Sequence, residues 1–211
     1  MISRLGVLGG MFDPVHIGHV AAAEFAANYL QLERVKMIPC NQPNHKGQAH
    51  ASASHRLAML ECATKNSAQL EIDDCEIQRG GVSYAVDTLR YLKDQKLAEH
   101  IVFVLGMDSF NSIPQWYEWE ALFTLSHFLV LARNGEEVDS QTASSIDLEK
   151  RLVQNAIELF EQEVGQVYIS TEFNNPNSST NVRDTLNSNQ PDLDSLDPAV
   201  LNYIRQNELY S

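Results

Sequence analysis

His16 and His19 stand three residues apart and follow a Gly9-Gly10 pair and an Asp13-Pro14 turn, all within the stretch from Gly9 to His19. The apolar run Leu5-Gly6-Val7-Leu8 ahead of them has the character of a buried parallel strand. The run from Gly18 through Leu30 is rich in helix formers. The histidines therefore belong to a helix start, where unpaired N–H groups and the positive end of the helix dipole favour an anion. Two imidazoles at this spacing share one face and enlarge that donor set. The glycines let the backbone turn tightly and leave room for a ligand where a side chain would intrude. Each feature alone also fits a blander role, a metal pair or a surface histidine. Together they point to phosphate.

A second stretch has the same chemistry. In Asn177-Ser178-Ser179-Thr180-Asn181-Val182-Arg183, hydroxyl residues open a short helix and an arginine follows within one turn. Cap hydroxyls, free amides and a guanidinium that can fork onto phosphate oxygens make this a second candidate anion site. Further candidates stand where strands end: Lys46 after Pro43-Asn44-His45, Asp108 after Gly106, and Arg133 after the run His127 to Ala132. Asp108 can accept from ribose hydroxyls or cap a helix. Trp116-Tyr117 can stack on a flat ligand or simply pack.

These positions require a framework of alternating strands and helices. Strand-like segments are Leu5–Leu8, Val35–Pro39, Leu70–Ile77, Ile101–Leu105, His127–Ala132 and Val167–Ser170. Helical segments are a stretch capped by Ser54, another capped by Ser83 with Val86, Leu89 and Leu92 at helical spacing, and an amphipathic helix from Asp147 to Glu163. A closing helix has Asp197 as cap and Pro198 at its first position. Cys40 to Ala53 and Glu136 to Ser145 read as polar connections. The pattern implies an α/β fold, a doubly wound parallel sheet with its crevice at the carboxyl ends of the strands and a small C-terminal helical part. The expected organisation is one domain over 1–211, its part from about 178 carrying the second phosphate motif. Neither a P-loop nor a G-x-G-x-x-G follows the first strand.

The chain has 211 residues, of which 44% are hydrophobic, enough for one well-buried core. With 28 acidic against 15 basic residues its formal charge is −13. Such a surface repels nucleic acid, so an anionic ligand must be drawn by a local basic pocket. The apolar runs are too short to span a bilayer and no signal-like start is present, which implies a cytoplasmic protein away from membranes. Cys40, Cys62 and Cys75 suggest neither a disulfide framework nor a zinc site.

The window from Gly9 to His19, with its Gly-Gly, Phe-Asp-Pro and His-x-Gly-His elements, resembles the nucleotidyltransferase superfamily that includes the class I aminoacyl-tRNA synthetases. Landmarks along the whole chain resemble the bacterial nicotinate mononucleotide adenylyltransferases: Pro43 to Lys46, Ser54 to Leu60, Ser83-Tyr84 with Asp87-Thr88-Leu89, Gly106 to Asp108, Trp116-Tyr117, Arg133, Ser178 to Arg183, and the ending Tyr203-Ile204 with Leu209-Tyr210. That resemblance implies a Rossmann-like nucleotidyltransferase fold and adenylyl transfer from ATP, with Mg²⁺, to nicotinate mononucleotide, yielding deamido-NAD and pyrophosphate in NAD biosynthesis. It implies catalytic roles for His16, His19 and Arg183. ATP would meet Gly9, Gly10, Met11, Phe12, His16, Gly18, His19, Lys46, Gly106, Asp108, Arg133, Ser178, Ser179, Thr180 and Arg183. The mononucleotide would meet His45, Lys46, Ala85, Asp108, Trp116 and Tyr117, with the backbone amides of Ala85 and Tyr117 directed at the nicotinate carboxylate. No metal is expected on protein ligands, and a homo-oligomer is left open. Met11, Asn44, Ala85 and Asn177 depart from the family pattern, which removes side-chain hydroxyls at 11 and 85 but keeps the backbone donors. The alternatives are another small adenylyltransferase, such as phosphopantetheine adenylyltransferase, and a non-catalytic nucleotide-binding protein of the same fold.

Overall fold

The structure is a computed structural model that describes residues 3–43, 47–133, 135–186 and 193–210. Its strands are β1 (Arg4–Gly10), β2 (Arg34–Pro39), β3 (Leu70–Ile72), β4 (His100–Gly106), β5 (His127–Leu131) and β6 (Val167–Ser170). They form one parallel sheet in the order β3-β2-β1-β4-β5-β6. The interleaved helices are α1 (Ile17–Tyr29), α2 (Ala53–Thr64), α3 (Cys75–Arg79), α4 (Ala85–Asp94), α5 (Met107–Asn111), α6 (Trp119–Leu125), α7 (Ser140–Ser145), α8 (Leu148–Arg151), α9 (Ser179–Leu186) and α10 (Pro198–Gln206).

The expected doubly wound sheet is what these elements make. β1, β4 and β5 are nearly continuous apolar runs because both faces of the sheet are covered. One face packs on α1, α2 and α10 through residues such as Ala23, Ala27, Met59, Leu60 and Leu201; the other packs on α4, α5 and α6 through Leu89, Leu92, Phe110 and Leu122. Gly6 is required for close packing, since a Cβ there would lie 2.7 Å from Val35 Cγ2 and 2.8 Å from Leu32 Cδ1. Chain order reverses between β1 and β4. The crevice of such a sheet opens beyond the carboxyl ends of those two strands, at Gly9-Gly10 and Gly106.

Several local expectations are corrected by side-chain and tertiary contacts. The strand expected over Leu70–Ile77 stops at Ile72, because Asp73 Oδ1 accepts from Cys75 N at 3.1 Å and turns the chain into α3. Ser52, not Ser54, caps α2 by accepting from His55 N. Ser83 does not cap α4; Tyr84 occupies that position while Ser83 Oγ accepts from Asn41 N at 2.9 Å. The segment Asp147–Glu163 is not one helix. It breaks after Arg151, where Leu152 bridges to Val167 beside the sheet and Asn155 Oδ1 collects the amides of Ile157 and Glu158. Within the connection 136–145, Asp139 caps the short helix α7.

Candidate active site

The two motifs meet. α9 lies against the turn between β1 and α1: Ser179 Oγ donates to Pro14 O at 3.0 Å and Arg183 Nη1 donates to Asp13 O at 2.6 Å. Neither α1 nor α9 has an acidic residue in its first turn, so the positive ends of both dipoles are left for an external anion. His19, Ser179 and Thr180 line two adjoining clefts of about 450 and 370 Å³. The first is also lined by Gly9, Gly10, Met11, Phe12, Gly106 and Arg183, the second by His16, Gly18, Arg133 and Ser178. Ser178 Oγ accepts from Asn181 N at 3.2 Å, which caps the start of α9.

The imidazoles are held rigidly. Burial leaves His16 5% exposed and lowers its pKa to about 4, so the ring is neutral at pH 7. His19 stacks on it at a centroid distance of 3.8 Å and meets the edge of Phe12 at 5.0 Å. His19 Nδ1 accepts the His16 N–H at 3.3 Å. In the neutral ring the proton therefore sits on Nε2, which makes that atom a donor.

Asp13 is the only acidic residue among the described residues lining these two clefts, and it is 2% exposed. Its carboxylate accepts from His50 N at 2.7 Å, Ala51 N at 3.0 Å, His50 Nδ1 at 3.1 Å and Tyr210 Oη at 2.8 Å. Burial alone would raise its pKa, but the bonds from His50, Tyr210 and Ala51 outweigh that and hold it below the usual carboxylate value. Its sequence signal was that of a turn residue, and nothing local marks it as the node where three distant segments join.

Through Gly9 and Gly10 the first of these clefts adjoins a third cavity of about 150 Å³. This one is mainly apolar, with Val7, Ile38, Leu89, Phe103 and Trp116 in its walls, and Ala85 and Tyr117 line it as expected. Trp116 is fixed by Nε1 donating to Ser112 Oγ at 2.9 Å, and Tyr117 packs on Tyr84 at 4.6 Å. Glu76, absent from the sequence-based candidates, lies here 6% exposed and accepts from Thr88 Oγ1 at 2.5 Å. Burial raises its pKa.

Three sequence candidates lie off the walls of these cavities or outside the described residues. Asp108 lies exposed in α5, between cleft-lining Gly106 and Ser109. His45 and Lys46 lie outside the described residues. A flat-ring pocket joined to a cleft built from two helix amino ends, at the switch point of a doubly wound sheet, defines a Rossmann-like nucleotidyltransferase.

A family model described as "Cytidylyltransferase-like" matches residues 7–185. A protein of Pseudoalteromonas atlantica named "Probable nicotinate-nucleotide adenylyltransferase" is 36% identical over 207 residues, covering 98% of this chain and 94% of that one. A protein of the same name from Desulfatibacillum aliphaticivorans is 37% identical over 219 residues, covering 98% and 99%. The chain belongs to the cytidylyltransferase-like family and, with these relatives, to its nicotinate-nucleotide adenylyltransferase members. Among solved structures, the fold is similar to "Plasmodium falciparum nicotinic acid mononucleotide adenylyltransferase complexed with NaAD", with a TM-score of 0.74 at 20% identity over 99% of this chain and 97% of that one.

Proposed function

We propose that the protein transfers the adenylyl group of ATP to nicotinate mononucleotide, releasing pyrophosphate and forming deamido-NAD in the cytoplasm. The observation that carries this reading is the continuity of the two half-sites along Gly9-Gly10. A triphosphate fits the helix-end cleft, a planar pyridine ring fits the aromatic pocket, and the mononucleotide's phosphate then falls beside the α-phosphorus.

In that arrangement an acceptor phosphate oxygen attacks the α-phosphorus in line. The new P–O bond forms as the bond to the bridging oxygen breaks, and that oxygen leaves with its electron pair on pyrophosphate. No protein nucleophile is needed, so the residues' work is alignment and charge stabilisation. His19 Nε2 and the amides opening α1 and α9 serve the transferring and departing phosphates. Arg133 and Arg183 add positive charge. Ser179, its hydroxyl proton committed to Pro14 O, offers its amide and lone pairs. Ala85 and Tyr117 would direct backbone amides at the ring carboxylate. Asp108 would take a ribose, while His45 and Lys46 would close on the phosphates.

Mg²⁺ fits this scheme as a companion of ATP. Among the described residues lining the two clefts the one carboxylate, Asp13, is already engaged by donors from His50, Ala51 and Tyr210, so the ion would be held by phosphate oxygens, whose charge it neutralises. On this proposal residues 1–211 act as a single nucleotidyltransferase domain.

The test is incubation with MgATP and nicotinate mononucleotide, nicotinamide mononucleotide or phosphopantetheine, each alone, with pyrophosphate measured and the product identified by mass. Deamido-NAD is expected from nicotinate mononucleotide. Dephospho-CoA as the product, or ATP binding with no pyrophosphate release from any acceptor, would overturn the proposal.

A further inference from the structure

Arg56 lies in α2, is 1% exposed, and lines none of the three cavities of the site. Among the described residues no carboxylate lies within ion-pair distance of its guanidinium. A buried charge is costly unless its protons are taken up. Here main-chain oxygens of three separate segments take them: Nη1 donates to Met11 O at 2.8 Å, Nη2 to Asn41 O at 3.0 Å and Nε to Ala51 O at 3.3 Å.

Two of those segments belong to the phosphate side of the site and the third to the ring pocket. Met11 is in the turn that lines the phosphate cleft. Ala51 adjoins His50 and gives its amide to Asp13. Asn41 follows Cys40 in the wall of the ring pocket, and its own N–H is held by Ser83 Oγ, another wall residue. The fork of one planar, always charged guanidinium thus fixes the ring pocket relative to the phosphate turn. Adenylyl transfer needs that separation to be correct, because the attacking oxygen must wait about 3–3.5 Å from phosphorus and in line.

We infer that Arg56 is a positioning residue that sets the register between the two half-sites, acting on turnover without touching either substrate. The inference rests on the proposed bi-substrate reaction. Its test is Arg56→Lys, which keeps the charge but places all donors on one nitrogen, so that three carbonyls on three segments cannot be held together.

Binding of ATP and of nicotinate mononucleotide, each titrated alone by calorimetry, should stay within about threefold of wild type, since each half-site keeps its own groups. kcat per folded molecule should fall about 10²-fold, the typical result of a misplacement near 1 Å. An unchanged kcat, or separate affinities that weaken by as much as kcat falls, would overturn the inference. Should Arg56→Lys fail to fold, Ser83→Ala decides, because it releases Asn41 N from the opposite side. That variant should lower kcat about tenfold with ATP affinity retained, one misaligned contact being smaller than the loss of the whole fork; unchanged turnover would overturn the inference. A wild-type protein that makes no dinucleotide would instead defeat the underlying reading of function.

Discussion

Replacing His19 with alanine removes a donor that the fold has placed before the reaction begins. The ring is stacked on His16, set edge-on to Phe12, and fixed in tautomer by the His16 N–H on its Nδ1. No reorganisation is then needed when charge moves toward the departing pyrophosphate. Loss of one such donor costs roughly 3–4 kcal/mol at the transition state, or about 10²–10³ in kcat. In the proposed complex ground-state binding of ATP would be spread over two helix ends, Arg133 and Arg183, so its KM should change by less than about threefold. The assay is steady-state pyrophosphate release at saturating MgATP and nicotinate mononucleotide, with ATP affinity titrated separately. His19→Asn, which retains a shorter donor, should fall between the two. Turnover within threefold of wild type, or a loss lying wholly in KM, would refute the reasoning.

Further outcomes follow from the same geometry. His16 and His127 have pKa values lowered by burial to about 4, whereas the unfolded chain protonates them near pH 6.5. The unfolded state then binds more protons, so stability is lost as pH falls from about 6.5 to about 4, by up to ~3 kcal/mol for each ring. Urea midpoints at pH 7 and pH 5 measure this, and His127→Gln, which removes one of these rings, should flatten the dependence; an unaltered slope contradicts it. Gly18→Ala would place a Cβ 2.7 Å from Asn175 Oδ1 and 3.0 Å from His16 Nδ1. Asn175 is pinned by both nitrogens of Asn177, so the expected strain is about 1–3 kcal/mol, seen as a lowered kcat/KM; wild-type kinetics would argue against it. Tyr210→Phe removes one donor from the Asp13 carboxylate and should lower unfolding free energy by ~2 kcal/mol, which denaturant titration checks.

The parts of the site legible in the sequence are those written locally. An apolar strand, a glycine pair, a turn and a helix start lie within twenty residues, and Ser178 to Arg183 form a helix opening of the same kind; nearness in sequence is enough to read both. Their convergence is not local, and it depends on Ser179 and Arg183 finding the carbonyls of Pro14 and Asp13 across more than 160 residues. Asp13 and Arg56 were illegible for the same reason. An aspartate before proline signals a turn, and an arginine in a helix signals a solvated face; only the tertiary fold buries them and supplies their partners. The segment Asp147–Glu163 shows the converse failure. Its apolar spacing favours a helix, but pairing of Leu152 with Val167 beside the sheet overrides it.

In the proposed reaction ordered donors and alignment suffice, with no bond formed between the protein and the adenylyl group. Adenosine 5′-O-(1-thiotriphosphate) of known configuration at the α-phosphorus tests this most directly, by the stereochemistry of the dinucleotide it forms. Direct in-line transfer predicts inversion. Retention would require two displacements through an adenylylated side chain, with a histidine such as His19 as the nucleophile, and would contradict the account.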